Sequence, residues 1–189
     1  MNDGMIDVLD QWGDKTGEIL PKTEVHKREL WHAGAHLWIY NSKGEVLLQH
    51  RSPGKKIFPD TWDISVAGHV DSGETPPQTL VREAKEELDL TIDPELLRFI
   101  GITFFDAKLP VGWIHRVFDW TYILQMEIDL KSLKFQETEV DDIKWHPMDD
   151  FERDINSPEI FKRYSARPKY VYQMAITEIQ DMLIKNQSE

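Results

Sequence analysis

The stretch from Gly68 to Leu90, GHVDSGETPPQTLVREAKEELDL, constrains the fold more than any other part of the chain. Thr75 and Gln78 have the spacing of a capping box, and Pro76 suits a first helical position. A helix is therefore expected from Thr75 to about Leu90. On it Glu83, Glu86 and Glu87 are spaced i, i+3, i+4 and share one face. Val81, Ala84 and Leu88 fall on a different face and can pack into a core. Carboxylates this close repel one another. A solvated acidic face is one reading. A site for hard divalent cations, which take oxygen ligands and offset the repulsion, is the other.

The flanking segments set the fold class. Met5–Asp10 reads as a strand, the following segment as a turn and a second extended piece, and Pro21–Arg28 as a short helix. Trp31–Tyr40 and Glu45–Arg51 read as strands joined by a turn at Asn41–Gly44. Ser52–Asp60 is a Gly/Pro/Lys loop, and Thr61–Ala67 a strand leading into Gly68. Leu97–Asp106 and Val117–Ile128 are expected strands around a loop with Pro110 and Gly112; Val140–Trp145 is another. Asp149–Ile155 reads as a short helix and Tyr170–Lys185 as an amphipathic terminal helix. Strands, one helix, more strands and a final helix imply an α/β fold with a mixed sheet covered by helices on both faces. The expected organisation is a single domain: an extension over 1–30, a core over 31–165 and a C-terminal helix over 166–189.

Gly68, Glu74, Arg82-Glu83 and Glu86-Glu87 together resemble the Nudix box. Where that pattern expects glycine the chain has Asp89, which can also adopt the left-handed conformation a helix end needs. The resemblance implies a Nudix-type α/β/α sandwich and a hydrolase that attacks a diphosphate linkage with Mg2+ or Mn2+. It assigns Glu83, Glu86, Glu87 and the Gly68 carbonyl to the metal. Arg82 is expected to orient a glutamate, and Glu74 to bond within the box or to a metal-bound water. Many family members recruit a further glutamate ahead of a late-strand tryptophan. Here that is Glu137 or Glu139, before Trp145, with Glu139 the first choice as general base or additional ligand.

Residues 31–74 narrow the resemblance to the isopentenyl-diphosphate isomerase branch. It implies that Arg51 and Lys55 contact a diphosphate, with Lys56 as helper. It also implies a second metal site at His32 and His69, with Glu137 and Glu139; His26 lies one residue from a third histidine position. The isomerases carry a catalytic cysteine where this chain has Ala67, and they tend to have a degraded box. Both differences favour hydrolysis, of a nucleoside diphosphate-type or related substrate, over isomerisation. A non-catalytic nucleotide sensor is a third reading, which the intact box disfavours.

Composition bounds the partners. The 189 residues include no cysteine, which removes disulfides and thiolate metal sites and suits a reducing compartment. A net charge of -12 argues against general nucleic-acid binding, though not against a small phosphorylated ligand next to a metal. With no membrane-length apolar run and no signal-peptide pattern, a cytoplasmic protein acting on a small-molecule diphosphate is expected. Nudix proteins often dimerise, so a homodimer is among the expected assemblies.

Overall fold

The structure is a computed structural model describing residues 4–109 and 112–186. Pro110, in the expected loop, and the outermost ends of the N-terminal extension and the terminal helix lie outside the described residues.

Strand β3 (His32–Tyr40) decides the architecture. Ala35, Leu37 and Ile39 line one face and His36, Trp38 and Tyr40 the other, and all are buried. A strand buried on both faces must lie in a sheet that is covered twice. At the turn into β4 (Glu45–Arg51), Asn41 Oδ1 accepts the N–H groups of Lys43 and Glu45, both at 3.0 Å. Gly44 there takes a φ of +77°, which suits a residue without a Cβ.

Beyond that turn β3 and β4 share only the Tyr40–Val46 pair and splay apart. The segment expected as one strand over Thr61–Ala67 is broken at Ile64–Ser65, because its two halves pair with different partners. β5 (Trp62–Asp63) pairs with β4, and β6 (Val66–His69) pairs antiparallel with β3. The buried Ser65 hydroxyl bridges the gap, donating to Leu47 O (2.6 Å) and accepting the Ile39 N–H (2.8 Å). β7 (Arg98–Lys108) runs antiparallel to β8 (Ile114–Gln125), which runs parallel to β3. β9 (Val140–Pro147) pairs with β4, completing a mixed seven-stranded sheet.

Helices cover both faces. On α2 (Pro76–Leu88), Leu80, Ala84 and Leu88 pack against Ala35, Leu37, Ile39 and Leu47. On the opposite face α3 (Met148–Asn156) and α5 (Lys169–Asn186) bring Phe151, Ile155, Tyr172 and Ile176 onto Trp38, Tyr40 and Leu48. Each large apolar side chain buried this way contributes about 1.5–3 kcal/mol relative to exposure. The α/β/α sandwich with a mixed sheet is the expected fold class. The short α4 (Pro158–Phe161) had no clear sequence signal.

Near the N-terminus, β1 (Met5–Leu9) and β2 (Lys15–Pro21) form a separate two-stranded sheet followed by α1 (Lys22–Lys27). Ile6, Val8 and Val25 are its buried centre. The Leu9 N–H donates to Trp31 O (2.8 Å) and the Ser72 N–H to Met5 O (2.7 Å), so this unit is tied to β3 and to the loop before α2. That attachment brings α1 beside His69 and α2. Among the described residues no helix is long and apolar enough to cross a membrane.

Candidate active site

The helix α2 is fixed at both ends by local chemistry. Thr75 is extended (φ -98°, ψ 156°) and its N–H donates to Gln78 Oε1 at 2.8 Å. Asp89 adopts φ 53°, ψ 26°, the left-handed geometry expected at a glycine position. Its N–H donates to Lys85 O (3.2 Å), and its carboxylate pairs with Lys85 Nζ.

The three helix glutamates share a face but not an environment. Glu86 is exposed, Glu83 is half-buried, and Glu87 is only 9% exposed. Burial raises the Glu83 pKa, an effect the Arg82 guanidinium opposes. Burial also raises Glu87, and the charges of Glu83 and Glu139 add to it, pushing its carboxyl up to about 8. Two acids that resist ionisation beside each other mark a desolvated place where negative charge is crowded.

Arg82 grips Glu74 through Nε (3.0 Å) and Nη2 (3.1 Å), and reaches Glu83 Oε1 through Nη1 (2.8 Å). Thr79 Oγ1 donates to the same Glu74 at 2.7 Å. Burial acts to raise the Glu74 pKa, but these hydrogen bonds outweigh it and hold the carboxyl below its usual value. Gly68 lies opposite Ala35 in the β6–β3 pair, and a Cβ there would collide with the Glu83 carboxyl. The neighbouring Ala67 faces the opposite side of the sheet, toward the core under α3 and α5.

Residues from three other segments converge on this face. The Gln136 N–H donates to Glu87 O (2.9 Å) and the Ser52 N–H to Glu139 O (3.0 Å). Glu139 therefore sits between α2 and the 52–60 loop, where its carboxylate pairs with Lys55 Nζ. Gln49 Nε2 donates to Glu87 Oε2 at 3.4 Å. Lys22, from α1, has its pKa lowered by burial and by Lys55, while Glu83, Glu139 and Asp71 oppose that shift. Neither Gln49 nor Lys22 is singled out by the sequence reading. Gln49 does interrupt an otherwise apolar run in EVLLQHR, but Lys22 leaves no signal in its polar segment. Lys56 is exposed. Arg51 donates to Phe58 O (3.1 Å), Ile57 O (3.0 Å) and Asp63 Oδ2 (3.3 Å).

The histidines gather on the other side of β6. His32 and His69 stack with centroids 5.0 Å apart, and His26 Nε2 lies 3.0 Å from His69 Nε2. The fourth member is His115, from β8, not Glu137 or Glu139. Glu137 projects to solvent from the turn that precedes β9, and Glu139 is held by Lys55 instead. Ligand atoms of His26, His32 and His115 all lie within 4.8 Å of one another. His32 Nδ1 is 3.0 Å from Leu30 O, which fixes it as the donor and leaves the buried Nε2 as a lone pair without a protein partner. Burial lowers the pKa of His32 to about 3 and of His115 to about 4, so both rings are neutral near pH 7.

Known proteins resemble this chain in sequence and in fold. Nudix hydrolase 3 of Arabidopsis thaliana is 32% identical over 149 residues, covering 77% of this chain but only 19% of that protein. An uncharacterised Nudix hydrolase of Listeria innocua is 32% identical over 143 residues, 72% of this chain and 79% of the relative. An isopentenyl-diphosphate Delta-isomerase of Citrobacter koseri is 35% identical over 86 residues, 45% of this chain and 47% of the relative. The crystal structure of DR0079 from Deinococcus radiodurans shares the fold, with a TM-score of 0.65 at 21% identity over 90% of this chain and 97% of that one. Residues 30–165, which hold the carboxylate helix, both lysine-loop and glutamate partners and most of the sheet, match the NUDIX domain, and the chain belongs to the Nudix hydrolase family.

Proposed function

We propose that the protein is a metal-dependent hydrolase that cleaves a diphosphate linkage in a nucleoside diphosphate-type or related small molecule. The observation that carries this reading is the convergence of Glu83 and Glu139 on the buried Glu87, whose carboxyl burial and those two charges raise to about 8. Carboxylate oxygens crowded in a desolvated pocket fit a hard divalent cation such as Mg2+ or Mn2+. Glu83, Glu86, Glu87 and the Gly68 carbonyl would hold it, and Glu139 would serve as a further ligand or as the general base. Such an ion neutralises phosphate charge and makes water a better nucleophile.

The chain's own residues do the rest. Arg82 fixes Glu83 against Glu74, so the ligand geometry is set before substrate arrives. Lys55 and Lys22 supply positive charge beside the acidic cluster, suited to the outer phosphate oxygens. Arg51, at the base of the same loop, serves the diphosphate by bracing Ile57 and Phe58. A second ion of imidazole preference fits His26, His32, His69 and His115, because His32 offers an oriented Nε2 lone pair. Ala67 provides no acid or base for carbon chemistry, which sets the isomerase reading second.

The test is a panel of nucleoside diphosphates, their sugar conjugates and isopentenyl diphosphate, incubated with Mg2+ and with Mn2+. Release of phosphate or nucleoside monophosphate, lost in Glu86→Gln and Glu87→Gln, is expected. A panel left intact with both metals refutes the reading; tight binding without turnover would put a sensor in its place. Metal analysis of His32→Gln against the wild type tests the histidine centre.

A further inference from the structure

Asp63 is 1% exposed and joins two guanidinium groups that are far apart in sequence. Its Oδ1 accepts from Arg167 Nε (2.9 Å) and from the Ile64 N–H (2.8 Å). Its Oδ2 accepts from Arg167 Nη2 (3.1 Å) and from Arg51 Nη1 (3.3 Å). Arg167 Nη1 meets His36 Nε2 at 2.7 Å. The segment holding Arg167 runs beside β5: the Trp62 N–H donates to Arg163 O (2.8 Å) and the Ser165 N–H to Trp62 O (2.9 Å). Tyr172 of α5 locks it by donating to Ser165 O at 2.6 Å.

The other end of this chain of bonds is the loop 52–60. Phe58 (φ +49°) and Asp60 (φ +57°) are non-glycine residues in the left-handed region. Such residues persist only when surrounding bonds over-determine them. Here the constraint is the Arg51 clamp on the Ile57 and Phe58 carbonyls, together with Thr61 Oγ1 donating to Phe58 O at 2.9 Å. The same loop carries Lys55 to Glu139.

We propose that Arg167 is a positioning residue for the diphosphate-binding loop: through Asp63 and Arg51 it fixes the backbone that presents Lys55. The inference rests on the diphosphohydrolase reading of the site. Arg167 holds Asp63 as a two-point fork, which leaves Arg51 free to point at the loop carbonyls. A lysine at 167 cannot reproduce the fork. Asp63 then draws Arg51 toward itself, the clamp loosens, and the loss falls on diphosphate affinity and not on the glutamates of α2.

The test uses the full chain and Arg167→Lys, which keeps a cation opposite the buried carboxylate. Two quantities are read: calorimetric affinity for Mg2+-methylenediphosphonate, which cannot be hydrolysed, and amide exchange across residues 53–60. The variant is expected to bind about fivefold to tenfold more weakly, with faster exchange in 53–60 and unchanged exchange in α2. In a Lys55→Met background the same substitution is expected to cost no further affinity, since both act on one interaction. Unaltered exchange in 53–60, or an equal loss of affinity with and without Lys55, overturns the proposal. If Arg167→Lys melts below the assay temperature, the charge-neutral pair Asp63→Asn with Arg167→Gln carries the same two readings. If the wild type binds no methylenediphosphonate, the hydrolase reading fails by itself, and the exchange data still decide whether Arg167 holds the loop.

Discussion

Replacing Glu87 by glutamine should make the metal-free protein more stable and the enzyme far less active. Glu87 is 9% exposed, and its carboxyl is raised from 4.5 to about 8 by burial and by Glu83 and Glu139. A folded-state acid with a raised pKa binds more protons than the unfolded chain between those two values. Its effect on stability is therefore nil well below pH 4.5, grows unfavourable as pH rises from there, and is complete above about pH 8. The ionisation cost at pH 8 is on the order of 4–5 kcal/mol, at about 1.4 kcal/mol per tenfold change in proton affinity. Rearrangement of Lys55 and Gln49 around the carboxylate returns part of it, so a gain of about 2 kcal/mol is expected for Glu87→Gln. For a chain of this size that is roughly 4–8 °C in Tm. The assay is thermal denaturation in chelator at pH 5 and pH 8.5, paired with hydrolysis in Mg2+. The stability gain should be large at pH 8.5 and small at pH 5, while hydrolysis falls about 100-fold or more. A variant less stable than wild type at pH 8.5, or equally stabilised at both pH values, refutes the electrostatic account. Hydrolysis within about threefold of wild type refutes the metal role.

Divalent metal should bind more tightly as pH rises toward 8, because Glu87 must release its proton; calorimetry in two buffers of different ionisation enthalpy would show proton release, and its absence would count against Glu87 as a ligand. Gly68→Ala should lower hydrolysis about 10-fold to 100-fold and destabilise by about 1–3 kcal/mol, since the new methyl meets the Glu83 carboxyl; unchanged kinetics would show that Glu83 placement is not critical. Asp89→Gly should raise stability by about 0.5–1 kcal/mol in a denaturant titration, because glycine tolerates φ 53° without a Cβ penalty; a loss would mean that the Lys85–Asp89 pair outweighs the backbone term.

Legibility follows the range of the interactions. Thr75, Gln78 and Pro76 announce the start of α2, and the 3.6-residue period puts Glu83, Glu86 and Glu87 on one side, because both depend only on backbone geometry within a few residues. Trp31–Tyr40 is legible as a strand from its own residues, whereas its burial on both faces shows only in the packing. The break at Ile64–Ser65 was not legible: a run of strand-forming residues does not say that its halves will serve different neighbours. The histidine site shows the limit again. The His32 and His69 rings stack, and the rings beside them are those of His26 and His115, since β8 lies beside β3 in parallel register while Glu137 ends on an exposed turn.

By itself, then, the sequence determined a capped helix with a carboxylate face, the mixed sandwich that carries it, and an alanine where a carbon-chemistry acid would stand. Only the tertiary structure decided that Glu86 faces water while Glu87 is buried, that Lys22, Gln49, Lys55 and Glu139 meet there, and that Arg51 is bound to its own loop. The physical reason is that spacing along a helix fixes direction, whereas desolvation and charge depend on what packs opposite, and that is set by strand register and by loops dozens of residues away.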